Sequence, residues 1–560
     1  MLLFDEPDPL LRELPVLVVD CQSTAATPRR GSLLELGWAR RDASPESRIA
    51  ALPSGETLDR RVSRITGIGE DELERAIPRG AVWDAFEASF ATSPRPVPTV
   101  AHFAPFEERW LRALHLERRG GRPFPLALIC THAIARRLYP ALPRRSLRAL
   151  AGYFGRELGP LRRSADHVVA TRYVWGALLD ALADREGVRT LRDLSEWLRR
   201  PSPARPVEPE LPMPREALAA LPDRPGVYRL QRLDGSTLYI GKARSLKKRV
   251  RSHFHRRPSL PERTLEMLTQ ARRVAFTETE TALESALLEH ESIKREDPPY
   301  NVALRAAGRG VERRCWFASR DLASLSESAD DAHPIGPLVH RGSIEVVRAL
   351  ASWLDDAHDD ARGAIARALH GTAALTEGLA RFDARHSARA TDELLAIGRA
   401  RWPLPDLDDD HDGDHDEDEL VLDSPRDAFG LAGPDEVADA LERQLALASH
   451  AIRQARWLTR LAESAVSWRH GERRRALVIE GGAIRSAAWI DEVAVAPWPR
   501  GWLRTPAERR AAMDLAARDR LRVLTTELRR VRAEGRDPEV RLGPSQLVRG
   551  AALDRLLARV

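Results

Sequence analysis

The chain has 560 residues and a formal net charge of +5, which permits nucleic-acid binding without requiring it. Because single cores rarely grow beyond about 250–300 residues, this length predicts several domains. The apolar runs are far shorter than the ~20 residues of a membrane span, and acids near the start argue against a signal peptide. The three cysteines form no CxxC pair, so we expect a reduced, cytoplasmic protein with no zinc ribbon and no membrane partner.

Composition divides the chain at two places. Residues 201–214 contain six prolines and predict a stiff linker, whereas ten of the fifteen residues 405–419 are acids. Part of this acidic run matches the EF-hand loop pattern by composition alone, and we interpret it as a solvated linker. The predicted segments are an α/β domain at 1–200, a linker at 201–214, a compact α+β domain at 215–305, a mixed then helical region at 306–404, an acidic linker at 405–420, and a mainly helical region at 421–560 with a small β-hairpin at Gly481-Gly482 and one further helix beginning after Thr505.

The N-terminal segment carries the motifs of one nuclease class. LPVLVVDCQST, ITGIGEDELE, AHFAPFEERWL and SADHVVATRY resemble, over roughly residues 12–185, a DEDD-type exonuclease of the DnaQ proofreading class. The resemblance implies an RNase H-like α/β fold and two metal ions held by four carboxylates. Matched position by position, the corresponding residues here are Asp20, Gln22, Glu107 and Asp166.

Several substitutions make this set degenerate. Gln22 is neutral where the family has an acid, and Glu107 replaces an aspartate. The family's catalytic histidine, expected five residues before Asp166, falls on Leu161, and His167 stands on the other side of Asp166. We therefore expect this domain to keep the fold without efficient exonuclease activity and without a secure N-terminal metal site.

Residues 224–243, RPGVYRLQRLDGSTLYIGKA, predict two strands around an Asp-Gly turn. With a two-residue turn, Tyr228 would pair with Gly241, and Tyr228 and Tyr239 would emerge on one face of the hairpin. Gly241 would then leave room opposite Tyr228 for another group. The alternative interpretation is a half-buried sheet in which the two aromatic rings only pack.

Two residue types are rare in this chain and are concentrated in one window. The one asparagine is Asn301, and the four lysines are Lys242, Lys247, Lys248 and Lys294, against 84 arginines (88 − 4). Arginine can replace lysine on most solvated surfaces, but not where geometry requires a compact ammonium or a neutral amide. The window 242–301 is therefore a candidate active site.

A basic helix and an acid in an apolar helix complete this window. RSLKKRVRSHFHRR, residues 244–257, holds seven Lys or Arg and no acid, so Lys247, Lys248 and Arg251 form either a DNA-binding face or a merely solvated one. Glu289 lies in the apolar run of TALESALLEHESIKRED. It is either a partly buried ion-pair partner or a ligand for a hard metal ion.

These blocks resemble one nuclease family. GVY, LYIGKARSLKKRVRSHF and ESALLEHESIKREDPPYN are similar to the GIY-YIG nuclease domain, in the version found in the N-terminal half of UvrC, the excinuclease subunit. His253 stands where UvrC-like domains often have tyrosine. The whole chain resembles bacterial fusions of a DnaQ-like domain with a UvrC-like GIY-YIG domain, related to the UvrC homologue Cho. The catalytic set that the resemblance implies is Tyr228, Tyr239, Lys242, Arg249, Glu289 and Asn301.

The residue types suit phosphodiester hydrolysis. The resemblance implies one Mg²⁺ or Mn²⁺ ion at Glu289, acting as a Lewis acid at the phosphate and the leaving group. Tyrosine normally titrates near ~10, and the charges of Lys242 and Arg249 would favour its phenolate. We expect Tyr228 to act as the base and Tyr239 to orient the water, while Arg249 offers a fork to phosphate oxygens.

The predicted function is a metal-dependent DNA endonuclease that makes a single-strand incision 3′ of a lesion in nucleotide-excision-type repair. The predicted partners are damaged double-stranded DNA and a lesion-recognition protein such as UvrB, although the second nuclease half of UvrC is not recognisable in this chain. Two alternatives stay open: a 3′-5′ exonuclease acting through the N-terminal domain, and a non-catalytic DNA-binding repair scaffold.

Overall fold

The computed structural model describes residues 8–558 except 91–92, 94, 160, 202–209, 256–259, 302–313, 340, 356–357, 370–373, 387–389, 402–432 and 499–504. Most of the linker predicted at 201–214, and all of the acidic linker predicted at 405–420, lie outside the described residues. The chain folds into two compact units. The first comprises Met1–Arg224, Tyr228–Gly241 and Ser245–Thr277, and the second comprises Pro225–Val227, Lys242–Arg244 and Glu278–Val560.

The N-terminal part of the first unit is an α/β domain. Its elements are β1 (Leu17–Ser23), β2 (Leu33–Arg40), β3 (Glu46–Ile49), α1 (Arg60–Thr66), α2 (Glu70–Glu74), α3 (Arg79–Ala88), β4 (Val97–Ala101), α4 (Ala104–Arg119), β5 (Leu126–Cys130), α5 (Thr131–Leu138), α6 (Leu147–Tyr153), α7 (Ser164–Glu186) and α8 (Leu191–Arg199). The sheet has the order β3-β2-β1-β4-β5. Strands β1, β2 and β3 pair antiparallel, whereas β1, β4 and β5 pair parallel.

Strand β1 shows why this sheet is buried on both faces. Successive side chains of a strand point to opposite faces. Leu17 and Val19 enter one apolar cluster with helices α3 and α4, whereas Val18 enters another with α5, α6 and α7. Such a strand must be apolar without interruption, as LVV is. The predicted α/β class of this segment is confirmed.

The chain continues into a smaller α+β region. Its elements are α9 (Arg215–Ala219), β6 (Gly226–Gln231), β7 (Thr237–Ala243), α10 (Leu246–Phe254), α11 (Glu262–Gln270), β8 (Arg273–Glu278) and α12 (Ala282–Glu296). The sheet order is β7-β6-β8. The division between the two compact units passes through β6 and β7, so each of these strands contributes residues to both units. The predicted hairpin, basic helix, third strand and Glu289-bearing helix are all present.

The hairpin turn differs from the predicted two-residue turn. The N–H of Arg232 donates to the Ser236 carbonyl at 3.0 Å, and the N–H of Gly235 donates to the Arg232 carbonyl at 3.2 Å. The turn therefore has three residues, Leu233 to Gly235. Gly235 adopts φ +91°, a conformation that glycine takes without steric cost. The common three-residue hairpin loop ends in a left-handed glycine. The sequence Asp-Gly therefore fits the last two positions of such a loop as well as it fits a two-residue turn.

Within the first unit, the α/β domain and the smaller α+β region pack directly against each other. A Cβ placed on Gly152 of α6 would lie 1.9 Å from Oε1 of Gln270 in α11, so the glycine makes room for this buried side chain. Arg232 donates to the same Oε1 at 3.1 Å and lies 3.6 Å from Glu157. The Arg272 guanidinium stacks on the ring of Tyr153 at 4.8 Å.

The second unit contains the C-terminal half of the chain. Its further elements are β9 (Trp316–Ala318), β10 (Leu325–Ser326), β11 (Ile335–Leu338), α13 (Arg341–Leu354), α14 (His358–Ala368), α15 (Leu375–Arg385), α16 (Thr391–Arg401), α17 (Pro434–Leu461), β12 (Ser464–His470), β13 (Arg473–Glu480), β14 (Ala483–Asp491), α18 (Pro506–Ala511), α19 (Leu515–Ala533), β15 (Glu539–Arg541), β16 (Leu547–Arg549) and α20 (Gly550–Leu557). Elements β9 to α16 lie in the segment predicted at 306–404.

The region after α17 has more sheet than predicted. The hairpin at Gly481-Gly482 is confirmed: Glu480 pairs with Ala483, and both glycines have positive φ, at 57° and 74°. It belongs, however, to an antiparallel sheet of order β14-β13-β12-β15-β16, so a mostly helical region with a small hairpin was too simple a prediction. The helix predicted after Thr505 is also two helices, because Asp514 caps a new helix by accepting from the Ala517 N–H.

None of the helices in the described part of the chain is both long enough and apolar enough to cross a membrane.

Candidate active site

The two tyrosines of the predicted catalytic set lie on one face of the hairpin, as predicted. The ring centroids of Tyr228 and Tyr239 are 6.1 Å apart. His253, from helix α10, completes the cluster, with its ring 5.6 Å from that of Tyr228 and 6.1 Å from that of Tyr239. Tyr228 is fully buried, and its hydroxyl oxygen lies 2.6 Å from Nε2 of His253 in a hydrogen bond. The sequence had marked His253 only as a departure from the family pattern.

Gly241 makes this cluster possible. A Cβ at this position would lie 2.5 Å from the hydroxyl oxygen of Tyr228, 2.6 Å from its Cζ and 2.9 Å from Cε1 of Tyr239. The room that the sequence predicted opposite Tyr228 is therefore filled by the tip of Tyr228 itself. No separate ligand space follows from this glycine.

Glu289 is fixed by a main-chain contact from strand β7. The N–H of Lys242 donates to Oε1 of Glu289 at 2.7 Å. Glu289 is half-buried on α12, whose N-terminus is capped by Thr281 accepting from the Glu284 N–H. A carboxylate that accepts from a main-chain N–H has a fixed orientation. Glu289 was predicted to be either an ion-pair partner or a metal ligand. Its carboxylate is hydrogen-bonded to the main chain of strand β7, which also carries Tyr239.

The side chain of Lys242 points to the C-terminal region. Its Nζ lies 2.8 Å from Oε1 of Glu527 in helix α19. The same oxygen accepts from Nη1 of Arg530 at 2.8 Å. Glu527 is 3% exposed and Lys242 is 36% exposed. Sequence reasoning missed Glu527, which lies 285 residues from Lys242 along the chain.

The remaining members of the predicted set are placed as follows. Arg249 is half-buried on α10, and Asn301 is 5% exposed just after α12. Tyr228, Tyr239 and Arg249 belong to the first compact unit. Lys242, Glu289 and Asn301 belong to the second.

Helix α10 carries the predicted DNA-binding residues. Ser245 caps its N-terminus by accepting from the Lys248 N–H at 3.2 Å. Lys248 and Arg251 are exposed and Lys247 is half-buried, whereas Leu246 and Val250 pack inward. The helix is therefore amphipathic, with its ammonium groups toward water.

In the N-terminal domain, His167 contacts Asp20 of the predicted carboxylate set, although it does not stand at the sequence position of the family's catalytic histidine. Its Nδ1 lies 3.3 Å from Oδ1 of Asp20, and its Nε2 lies 3.3 Å from the carbonyl oxygen of Leu161. Although burial opposes the charged ring, the hydrogen bond and charge of Asp20 raise the pKa of His167. His167, which follows Asp166 in the sequence, therefore contacts Asp20 directly.

The other acids of the exonuclease-like set are engaged separately. Burial, with a further contribution from the charge of Asp20, raises the pKa of Glu107 to about 9. Gln22 donates its Nε2 to the carbonyl of Arg162. Asp166 is exposed and caps α7 by accepting from the Arg163 N–H at 3.2 Å. Among the described residues, no group of three or more His, Cys, Asp or Glu is arranged to hold a metal ion.

A buried acid next to this set was also missed. Glu35, which pairs with Gln22 across β1 and β2, is fully buried and accepts from Nη2 of Arg163 at 2.8 Å and from the Ser164 N–H at 2.8 Å. The sequence offered no signal for it, since LLELGWAR shows an acid in a strand without showing its partner.

Comparison with known proteins agrees with one part of this site. Residues 224–302 match the model of the UvrC-like GIY-YIG domain. UvrABC system protein C of Methylococcus capsulatus is 44% identical over 88 residues, and that of Sphingopyxis alaskensis is 45% identical over 91 residues. Each match covers 16% of this chain and 14% of the relative, so the chain spans about one seventh of these curated relatives.

Two kinds of solved structure are also similar. The GIY-YIG N-terminal endonuclease domain of UvrC from Thermotoga maritima, bound to magnesium, is 31% identical, with a TM-score of 0.14; the match covers 16% of this chain and 94% of that one. Escherichia coli exonuclease I in complex with a dA16 oligonucleotide is 13% identical, with a TM-score of 0.27, and the match covers 39% of this chain and 48% of that one. This chain therefore contains a UvrC-like GIY-YIG domain at residues 224–302 within a longer multidomain protein.

Proposed function

We propose that this protein is a metal-dependent DNA endonuclease of the GIY-YIG type, making a single-strand incision 3′ of a lesion in nucleotide-excision-type repair. The observation that carries the proposal is the arrangement along strand β7. At one point Tyr239 joins Tyr228 and His253 in a ring cluster, and three residues later Lys242 fixes the Glu289 carboxylate through its main-chain N–H. Polar groups of these types serve a hydrolase, and a purely structural sheet does not need them.

The donor chemistry of Glu289 fits a magnesium ion. Mg²⁺ prefers oxygen ligands, keeps several waters and is commonly held by one or two carboxylates. Glu289 provides one half-buried carboxylate whose orientation is set by strand β7. When bound there, the ion would supply Lewis-acid stabilisation of the phosphate and the leaving oxygen. Manganese has the same ligand preference and is the expected substitute.

Tyr228 is the proposed base, and the structure gives it a proton acceptor. When the His253 proton is on Nδ1, Nε2 accepts from the Tyr228 hydroxyl across the 2.6 Å contact. The phenolic oxygen can then take a proton from the attacking water as it passes its own proton to His253. General-base catalysis of this kind contributes about 10²–10⁴-fold. Tyr239, half-buried beside both rings, is proposed to orient that water.

The other residues of the set are assigned by charge. Arg249 and the α10 residues Lys247, Lys248 and Arg251 are proposed to bind DNA phosphates, because guanidinium and ammonium groups neutralise them. Asn301 is proposed to hydrogen-bond near the phosphate without adding negative charge. Damaged double-stranded DNA and a lesion-recognition protein such as UvrB are the proposed partners, on the strength of relatives named UvrABC system protein C.

The exonuclease alternative is weaker on the same grounds. Two metal ions need ionised acids directed at one point. Here Asp20 contacts His167, the neutral Gln22 donates to the Arg162 carbonyl, and Asp166 caps a helix. These residues do not fit a two-metal site, and we propose that the N-terminal domain is a degenerate exonuclease fold. A non-catalytic scaffold would bind DNA without nicking it, and the nicking test separates the two functions.

The test is Mg²⁺-dependent nicking of end-labelled duplexes with and without a lesion. Wild type is expected to cut one strand on the 3′ side of the lesion, and Glu289→Gln is expected to abolish cutting with DNA affinity within about twofold. Glu291→Gln is the matched control, because Glu291 lies on the same helix and pairs with Arg520 at 2.9 Å. Wild-type nicking by Glu289→Gln would refute the assignment.

A further inference from the structure

Helix α19 of the C-terminal region is fastened to α12, the helix that carries Glu289. Leu283 and Leu287 of α12 share an apolar cluster with Leu521, Leu524 and Leu528 of α19. Burial of apolar surface in this cluster stabilises the contact between the two helices. The two helices therefore form one packed layer within the second unit.

Ion pairs border this apolar contact. Lys294 of α12 pairs with Asp519, which is 5% exposed, and Glu291 pairs with Arg520 at 2.9 Å. Arg244, just after β7, pairs with Glu534 at the end of α19. Acids and bases alternate between the two sides of the contact. This pattern fixes how far along α12 the helix α19 sits.

One of these pairs reaches the proposed catalytic set. Lys242 donates to Glu289 through its main chain at 2.7 Å and to Glu527 through its ammonium at 2.8 Å. Glu527 is 3% exposed, so its carboxylate is on the buried side of the ammonium, whereas Lys242 keeps 36% of its side chain exposed. An ammonium has three N–H donors, and Glu527 takes one of them.

The Glu527 carboxylate is shared by Lys242 and Arg530, and the Glu289 carboxylate accepts from the Lys242 main chain. The ammonium N–H groups that Glu527 does not take can be offered to a phosphate. A free lysine side chain also carries rotamer entropy, which a fixed partner removes before substrate binds.

We infer that Glu527 is a positioning residue, which holds the Lys242 ammonium in place for the scissile phosphate and so makes the C-terminal region part of the working nuclease. This inference rests on the proposed function of Lys242. It assigns a role to helix α19, which lies outside the segment matched by the GIY-YIG model. In the opposite role, Glu527 would withhold the ammonium from DNA. Removing its charge would then raise the nicking rate, whereas loss of a positioning residue would lower it.

The first measurement is nicking of ultraviolet-irradiated plasmid by the full chain in Mg²⁺. Glu527→Gln is expected to lower kcat at least tenfold with KM for DNA within about twofold. Glu534→Gln is the matched control, because it removes a carboxylate from the same helix that pairs with Arg244. Wild-type kcat in Glu527→Gln overturns the inference, and a faster rate overturns it in favour of a withholding role.

The second measurement does not depend on nicking. The chain has four lysines, so acylation by an acetyl N-hydroxysuccinimide ester can be followed at each one by peptide mass spectrometry. Lys242 is expected to react at least fivefold faster in Glu527→Gln than in wild type, relative to exposed Lys248. An unchanged ratio overturns the inference even if wild type nicks normally. If wild type does not nick, the proposed function fails while this ratio still reports on the pair.

Lys294 reports whether α19 stays docked. Lys294 pairs with Asp519, which lies on α19 together with Glu527. Slow acylation of Lys294 in Glu527→Gln therefore shows that α19 is still packed against α12. If Lys294 also reacts faster, Glu527→Asp decides, since it keeps the charge on a shorter side chain. Slower nicking than wild type with a protected Lys294 supports the inference, and wild-type nicking overturns it.

Discussion

Replacing Gly241 by alanine should damage the proposed active site through one methyl group. The added Cβ would lie 2.5 Å and 2.6 Å from two atoms of Tyr228 and 2.9 Å from one of Tyr239. Carbon atoms in contact normally stay about 3.5–4.0 Å apart. The Tyr228 ring must therefore move by about 1 Å, although it is fully buried and hydrogen-bonded to His253.

The cost follows from these distances. Overpacking a core by one methyl group costs typically about 1–3 kcal/mol. Losing the hydrogen bond between Tyr228 and His253 adds about 0.5–1.5 kcal/mol. The local loss is therefore about 1.5–4.5 kcal/mol. A displacement of about 1 Å at a catalytic group can also cost about 10²-fold in rate, and we expect a loss of that size in nicking by Gly241→Ala.

The assay combines nicking kinetics with hydrogen exchange of strands β6 and β7 in the full chain. Gly241→Ala should show faster exchange in both strands. Tyr228→Phe relieves little of the clash, because the ring carbon at 2.6 Å remains, whereas Tyr228→Ala removes the ring. Added to Tyr228→Ala, the glycine change should therefore cost much less, because only the contact with Tyr239 at 2.9 Å remains. Wild-type nicking and exchange in Gly241→Ala, or full additivity with Tyr228→Ala, would refute this reasoning.

Three further predictions concern binding and the N-terminal domain. Changing Lys247, Lys248 and Arg251 to alanine should weaken binding to all DNA sequences alike and reduce the salt slope by about 0.9 for each phosphate that is no longer neutralised; an unchanged slope would mean a merely solvated face. Because the pKa of Glu107 is raised from 4.5 to about 9, the folded chain holds a proton that the unfolded chain releases, so stability should fall by about 1.4 kcal/mol per pH unit across that window. Glu107→Gln should remove this slope in urea unfolding of the first unit, and parallel slopes in the two proteins would contradict it. Asp20→Ala should leave nicking unchanged, and a 3′-to-5′ shortening activity that disappears in this variant would restore the exonuclease alternative.

Local pattern was enough to predict the hairpin, the basic helix and the helix that carries Glu289. The common face of Tyr228 and Tyr239 was predicted from strand alternation together with a two-residue turn, whereas the observed turn has three residues. The turn length did not follow, because a left-handed glycine ends both two- and three-residue hairpins. The scarcity of lysine pointed to Lys242 as a chemical residue, since arginine had replaced lysine elsewhere.

The missed features are those that depend on distant partners. An ion pair such as Lys242–Glu527 leaves no periodic trace across 285 residues. Strands β15 and β16 have three residues each, too few to show alternation of apolar and polar residues. The helical patterns next to them therefore dominated the prediction for the C-terminal region. His167 was judged by its place in the sequence, whereas the fold brings its ring to Asp20.

The packing of Gln270 into the space left by Gly152 bears on how this protein can be taken apart. Gln270 and its hydrogen-bond partner Arg232 are 2% and 1% exposed. Separating the chain at the proline-rich segment would therefore expose these polar groups on one fragment and leave the space beside Gly152 unfilled on the other. The α/β domain and the smaller α+β region are therefore not independent modules. A chimaera that contains only one of them must also carry the residues that contact it across this interface. Otherwise water must hydrogen-bond to the Gln270 amide and the Arg232 guanidinium.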